Sequence, residues 1–553
     1  MIMDINNTKL LTMKKIIKTI GLTLGLFSML FVSSCKDQIE PIVEELDFNR
    51  AFSPVGLTAS ISEVTLVTLN WTAVKNADHY VLEIYQGTDF SAGSMIYTTN
   101  IPASDGTQLI YTYNLPAGDT QFSARLKAVS ALTGINESKW SSVGFKSAPE
   151  NLFTGYKSML TGLNTCIVRW KPGAIATALA FNKGGSDTSY PISSAEQAAG
   201  EKTLTGVPNG NYTIKLMNGT FSRGSTRLVI EGDAFLAAGG DLNAALEALP
   251  SGGVLLLANG EKYGLTEPDT VTASIKIRGV FTDNLPTIYL ITGTPLAYHM
   301  FDIGTTTTAS DSLVFENINI SCYYDDAGVT KHRGVIDQEN TAFIIGAVKF
   351  NNCIIRNSGR SAIRLRGNAA GQTINNVEFN NCIMYDFAFD SHYGVLNGAT
   401  TGNFINIKFR NSTIYNLRGG IINYGSGAGC QSVLVDNCSF NQLMMDATTA
   451  RYFIDFGTTG NPSNGTLTIS DCIFGQAGAL ANGVRNNLMV MTVTGSWYTS
   501  DFVNVSGSII GSMTAYAGAS TSLWVSPVAT GDFHFLDANF AGRDTAGDPR
   551  WKP

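Results

Sequence analysis

The sequence predicts an all-β protein in which one or two small antiparallel sandwiches precede a long parallel solenoid. Three observations carry that prediction. The first is composition. Of 553 residues 56 are Gly, and charged residues are only 15%, against about 25% in an average soluble domain. Hydrophobic residues reach 44%, far too many for a disordered chain. The second is the pattern over residues 52–231, where short alternating apolar runs are separated by turn residues, as in a sandwich. The third is a motif that recurs with a spacing of 26 to 35 residues over the C-terminal half, the period of a coil that stacks on copies of itself.

The chain opens on a segment that is expected to be processed rather than folded. Lys14, Lys15 and Lys18 precede an apolar run from Ile20 to Val32, and Val32-Ser33-Ser34-Cys35 comes next. A basic stretch, a short apolar stretch and small residues before a cysteine resemble the lipobox of bacterial lipoproteins. That resemblance implies a signal peptide over 1–35, a start at Met13 and lipidation of Cys35, which would anchor the chain to a membrane. Residues 36–51 read as an acidic tether, with Asp37, Glu40, Glu44, Glu45 and Asp47. This is similar to the surface-export signal of Bacteroidetes-type lipoproteins and implies display at the outer membrane. The formal net charge is −7, and no basic tract lies beyond the signal, so nucleic acid is not an expected partner.

Residues 52–148 form the first expected sandwich. Leu69-Asn70-Trp71 and Tyr80 to Tyr85 read as strands, and Leu115-Pro116-Ala117-Gly118 leads into a further strand at Phe122–Val129. The buried Trp71, the Leu115…Phe122 corner and Trp140 resemble a fibronectin type III domain. Phe122 stands where that family usually has a corner tyrosine, so the tyrosine's hydroxyl bond would be missing. Residues 151–231 resemble a second, diverged copy, with Val168-Arg169-Trp170 as the tryptophan strand and Tyr212 at the corner. Such domains imply spacers or protein contacts.

Residues 235–553 form the solenoid. Asp241 is an expected N-cap, and Leu242, Ala245, Leu246 and Leu249 share one helical face. Pro250-Ser251-Gly252-Gly253 stops the helix ahead of a strand at Val254–Leu257. A short amphipathic helix before such a strand resembles the opening of pectate-lyase-like proteins, where it caps the end of a right-handed parallel β-helix. The repeat comes next. Phe350-Asn351-Asn352-Cys353, Phe379-Asn380-Asn381-Cys382, Phe409-Arg410-Asn411-Ser412, Val435-Asp436-Asn437-Cys438 and Ile469-Ser470-Asp471-Cys472 share one pattern, and Phe315-Glu316-Asn317-Ile318 is an earlier version. The apolar residue points inward. The Asn makes a tight bend, because Asn tolerates the left-handed region, and its amide can bond the next coil as a ladder. The Cys then packs inward. Cys353, Cys382, Cys438 and Cys472 are therefore expected in the core rather than at a redox centre. The tail from Gly531 to Trp551 resembles the ending of a family of uncharacterised β-helix domains found in surface lipoproteins of polysaccharide-utilisation systems.

A solenoid of this kind has a uniform interior, so function is expected on outer faces and loops. Aligned on the repeat, Asp325 and Asp326, Arg360, Asp390, Arg418 and Asp446 fall at one corner of successive coils. The next strands add Lys331, His332 and Arg333, then Arg364 and Arg366, His392, Tyr424 and Arg451. Alternating charges at coil spacing suit an acidic glycan. Anchoring the coils on Gly367, Gly398, Gly425 and Gly457 gives a different alignment, with Asn423 and Asp455 in line with Leu365 and Leu396, so register slips somewhere. One expectation is a lyase that cleaves an acidic plant or algal polysaccharide such as pectin by β-elimination. Arg360, Arg364, Arg366 or Lys331 would be the base, Asp325, Asp326 and Asp390 would hold Ca²⁺, and Asp390, His392, Arg418, Tyr424 and Arg451 would bind substrate. No active-site motif of the pectate lyases matches residue by residue. The alternatives are a non-catalytic glycan-binding protein with exposed aromatics, Tyr323, Tyr324, Tyr393 and Tyr424 among them, and an adhesin or scaffold. Outer-membrane glycan-uptake proteins are expected partners in the first two readings.

Overall fold

The computed structural model describes residues 49–553 apart from 105–106, 155–157, 282, 292–297, 325, 327–330, 340, 367–370, 388–391, 399–401, 426–428, 458–464, 486–487 and 503–509. The signal peptide, Cys35 and all but the end of the tether lie outside the described residues, as do Asp325 and Asp390. Two compact units are present, one over residues up to 115 and 119–148, the other over 116–118 and 149–553.

The first unit is a sandwich of three and four antiparallel strands. Val55–Ser62, Leu66–Thr72 and Gln108–Asn114 form one sheet; Met95–Pro102, Ala77–Gln86, Gln121–Ser130 and Ser141–Lys146 form the other. Trp71 and Tyr80 are fully buried and meet edge to face at 5.6 Å. Phe122 is buried too, and it stacks on Phe145 where a tyrosine would have donated a bond. Trp140 lies just ahead of the last strand, with the Arg125 guanidinium 4.4 Å from its ring centroid.

The second unit begins with another sandwich of the same plan. Met159–Gly162, Thr165–Arg169 and Glu201–Leu204 face Ser186–Pro191, Ala178–Lys183, Gly210–Asn218 and Phe221–Ile230. Trp170 is fully buried, and the Tyr212 hydroxyl donates to the Pro208 carbonyl at 2.8 Å, closing the corner. Both sandwiches are fibronectin type III-like in strand order. The second is continuous with the solenoid: Leu256 and Val280 from the first coils join its apolar core, and Glu231 pairs with Lys276 and Arg278.

The remainder is a parallel β-helix with three faces. Except at the two ends, each strand pairs with the strand three further on, which builds parallel sheets of ten, ten and eight strands. Face 1 runs from Ala234–Leu236 to Val490–Thr494, face 2 from Lys262–Leu265 to Thr514–Ala515, and face 3 from Asp269–Val271 to Ala481–Arg485. A helix at Leu242–Glu247 packs against the first strands of faces 1 and 2 and buries Leu242 and Leu246. Its N-cap Asp241 accepts from the Ala244 N–H at 3.1 Å.

The repeat occupies the bend from face 1 to face 2. Asn317, Asn352, Asn381, Asn411, Asn437 and Asp471 all have φ between 50° and 57°, the left-handed conformation expected for Asn at a tight bend. The Asn352 amide donates to Asn317 Oδ1 at 2.8 Å, and Asn381 donates to Asn352 Oδ1 at 3.0 Å. The next rung shifts by one residue, from Asn411 to Asn380. Just inside, Phe315, Phe350, Phe379 and Phe409 stack with centroids 5.0 Å apart. The cysteines form a buried column of free thiols beside them. Burial pushes the Cys382 thiol up to about 12, so it stays protonated and behaves as a small apolar side chain.

One half-buried carboxyl group sits near the cap. Asp269 has an oxygen with no hydrogen-bond partner, and burial together with Glu247 and Glu267 raises its pKa to about 6. A carboxyl group raised in the folded state gives most stability where it is protonated, and that contribution is lost as pH rises from about 4 through 6. Asp269→Asn is therefore expected to raise the melting temperature at pH 8 and to leave it unchanged at pH 4, measured by calorimetry.

Candidate functional site

Face 3 positions the site. Its strands are three residues long over Ile336–Gln338, Ile363–Leu365, Leu396–Gly398 and Ile422–Tyr424. The middle residue of each faces outward, because side chains alternate along a strand. Register runs Asp337, Arg364, Asn397, Asn423, Asp455, Arg485. The alignment on glycines is therefore corrected: Asn423 pairs with Asn397 and stands in the row of Arg364, not in that of Leu396 and Leu365. A slip of one residue turns every side chain to the opposite side. Tyr424 shows the consequence. The sequence reading puts it at the surface as a substrate-binding residue, but it is 2% exposed, and its hydroxyl donates to the Phe404 carbonyl inside the coil.

Asp337 is the centre of the arrangement. Its side chain is fully buried, and three guanidinium groups gather on it. Arg360 Nη1 is 3.7 Å and Arg364 Nη1 3.9 Å from Oδ2, and Arg366 pairs closely with Oδ1. Neither carboxylate oxygen accepts a well-aligned hydrogen bond. Glu339 extends the group, pairing with Arg366 and, at 3.0 Å, with Arg333. Arg364 also donates to Asn397 Oδ1 at 2.9 Å and to the Tyr393 hydroxyl at 3.1 Å, with its guanidinium 4.1 Å from the Tyr393 ring centroid.

His392 continues the strip. It is exposed and adjoins Tyr393, with ring centroids 5.1 Å apart. Partial burial and then the cations Arg451, Arg418 and Arg364 hold it below the ordinary imidazole value, against the opposing pull of Asp446. Asp446 is buried and binds Arg451 at 2.6 Å and Arg418 at 3.6 Å. Burial disfavours its charge, but hydrogen bonds from Thr448 and Arg451 outweigh that and lower its pKa.

Six of the expected site residues thus come together: Arg360, Arg364, Arg366, His392, Arg418 and Arg451. Others do not. Lys331 Nζ instead sits 6.0 Å from the Tyr323 ring centroid. Asp326, expected to bind metal, pairs with Lys262 at 2.7 Å and Arg356 at 2.5 Å, so its oxygens already face cations. Its expected companions Asp325 and Asp390 lie outside the described residues. Among the described residues no three His, Cys, Asp or Glu side chains converge as a metal site. His332 is fully buried, and desolvation lowers its pKa to about 3. Sequence reasoning missed Asp337, Glu339 and Asn397. The available signal was an acid between buried neighbours in Ile336-Asp337-Gln338, which marks the outward position of that strand.

No protein-family model and no curated protein matches the sequence. Among solved structures the chain is similar to a two-domain fibronectin type III segment of chicken tenascin, at 17% identity over 32% of this chain and 98% of that one, with a TM-score of 0.19. It is similar also to the FN1–FN3 domains of chicken CNTN1, at 12% identity over 33% of this chain and 68% of that one, with a TM-score of 0.15. Scores this low carry no argument about function.

Proposed function

We propose that this chain is a lipid-anchored outer-membrane protein, displayed at the cell surface, that binds a uronate-containing polysaccharide along the face 3 arginine strip. The observation that carries the reading is a concentration of positive charge on an acidic chain. Arg333, Arg360, Arg364, Arg366, Arg418 and Arg451 gather around Asp337, Glu339 and Asp446, while the whole chain carries −7. Guanidinium groups pair with carboxylates in a planar, two-pronged geometry and are weakly hydrated, which suits a polyuronate. Tyr393 adds a ring against which a sugar can lie. The Val32-Ser33-Ser34-Cys35 sequence supports the anchor, and the fibronectin-like domains serve as spacers. Glycan-uptake proteins of the outer membrane are the natural partners of such a molecule.

One observation favours cleavage as a second reading. Burial disfavours the charge of Arg364, against the opposing pull of Asp337 and Tyr393, which is the direction a general base requires. In β-elimination the base removes the C5 proton of a uronate, a C4–C5 double bond forms, and the C4–O bond breaks with a proton passing to the leaving oxygen. The neighbouring arginines would hold the substrate carboxylate that stabilises the intermediate charge.

The test is to mix the mature protein with polygalacturonate and alginate, with and without Ca²⁺, monitoring electrophoretic retention and the ultraviolet absorbance of unsaturated ends. Retention of a uronan, weakened at least about 10-fold in Arg364→Ala, is expected from the loss of a charged contact. A rise in absorbance adds cleavage, and a flat trace with retention leaves binding alone. No retention of either polymer overturns the proposal.

A further inference from the structure

We propose that face 2 carries a second ligand site, separate from the arginine strip, which takes a neutral sugar unit in a cavity walled by the C-terminal strap. The strap is residues 547–552. Buried Asp548 fixes it to the coils: its carboxylate accepts from Thr413 Oγ1 at 2.7 Å, and its backbone N–H donates to Ser439 Oγ at 3.0 Å. The Trp551 indole donates to the same Thr413 oxygen at 2.7 Å. Arg550 then reaches the asparagine bend, donating to both the carbonyl and the side-chain oxygen of Asn381 at 2.7 Å. It stands where the Asn411 rung of the ladder would otherwise arrive.

Between the strap and the loop at residues 283–285 lies a cavity of about 330 Å³, at the small end of ligand pockets. Its floor is aliphatic. Ile354 and Ile383 are the outward, half-buried residues of their strands, and Leu285 closes the side. Its rim is polar, with exposed Asp283 on one side and Arg550, held by Asp548, on the other. The amides of Asn319, Asn352 and Asn381 line the wall between them.

This chemistry selects the ligand. Arg550 is already paired with Asp548 at 3.0 Å, so with Asp283 at its rim the cavity does not favour a polyanion. A carboxylate accepts from hydroxyls, amides both donate and accept, and an arginine donates, which together match the mixed hydroxyls of a sugar. Isoleucine side chains offer a surface for the C–H face of the ring. An apolar ligand would take water from the Asp283 carboxylate without replacing its hydrogen bonds, at a cost. The site does not depend on the reading of face 3, because it shares no residue with it.

Saturation-transfer NMR on the full mature chain with lactose, cellobiose, maltose and mannobiose tests the proposal. At least one disaccharide is expected to receive saturation. Asp283→Ala, on an exposed loop, should weaken it about 10-fold, as for the loss of a charged hydrogen bond. Ile354→Trp should abolish it by filling the cavity, and Arg364→Ala should leave it unchanged. Absence of transfer to all four sugars, or transfer that survives Asp283→Ala at full strength, overturns the proposal.

Discussion

Phe379→Ala is expected to cost the β-helix about 3–5 kcal/mol, the usual loss for a buried phenylalanine. Phe379 is fully buried in the middle of a stack, with Phe350 and Phe409 each 5.0 Å away and nearly parallel. Truncation removes both ring contacts and opens a void between two coils whose spacing is set by backbone pairing. The sheets on either side cannot close over it, because strands in a ladder keep about 4.8 Å between them. Each coil is stabilised mainly by its neighbours, so a weak coil in the centre divides the solenoid into two shorter stacks. The expected calorimetric result is a solenoid transition lowered by several degrees, with an unaltered transition for the first sandwich, whose core shares no residue with the stack. A shift of less than about 1 kcal/mol would mean that the rings do not carry the packing assigned to them.

Asp337→Ala is expected to do comparable damage by a different route. The variant removes a buried carboxylate from among Arg360, Arg364 and Arg366 and leaves three like charges together beside Glu339. Removing one partner from a buried ion pair costs about 3–5 kcal/mol, because the remaining charge stays desolvated. Arg360, Arg364 and Arg366 retain side-chain exposures of 22%, 11% and 19%, so they can swing toward water and relieve part of this. That movement would dismantle the strip. The expected outcome is therefore a loss of glycan retention as well as a lower melting temperature. Asp337→Asn keeps the volume and removes the charge, and it should show the same loss of retention. If Asp337→Asn binds uronate as well as the wild type, the carboxylate does not organise the arginines.

The fold and the candidate site were not equally legible in the sequence. The bend between faces 1 and 2 was readable because each of its residues is constrained separately. Phe379 must face the core, Asn381 must tolerate positive φ, and Cys382 must be small. Three such constraints in a row leave a pattern that survives substitution by Ser412 or Asp471. Face 3 has no such signature. Its central strands are three residues long, and only the alternation of one outward residue between two inward ones fixes them. The glycines that suggest themselves as anchors are not equivalent: Gly398 ends its strand at the register of Leu365 and Tyr424, and Gly457 lies two residues beyond Asp455. That displacement puts Tyr424 outside when it is inside, and it hides Asp337. The cluster of Arg360, Arg364 and Arg366 was still visible, since arginines in a chain of low charge have few reasons to be adjacent. What they surround was not visible, because Asp337 comes from the preceding coil. The third rung of the asparagine ladder was likewise hidden, since the strap that claims Asn381 is 169 residues away along the chain.

An anion site for a polyuronate at the face 3 arginines is tested most directly by a binding isotherm. The mature chain would be titrated with polygalacturonate at rising salt, for the wild type, Arg418→Glu and Arg360→Ala. Arg418 is 38% exposed, so its reversal should leave the fold intact. The predicted result is wild-type binding that weakens steeply with salt, as contacts between exposed charges are screened. A loss of at least about 10-fold is predicted in each variant. Wild-type affinity that ignores salt, or variants that bind as well as the wild type, would contradict it.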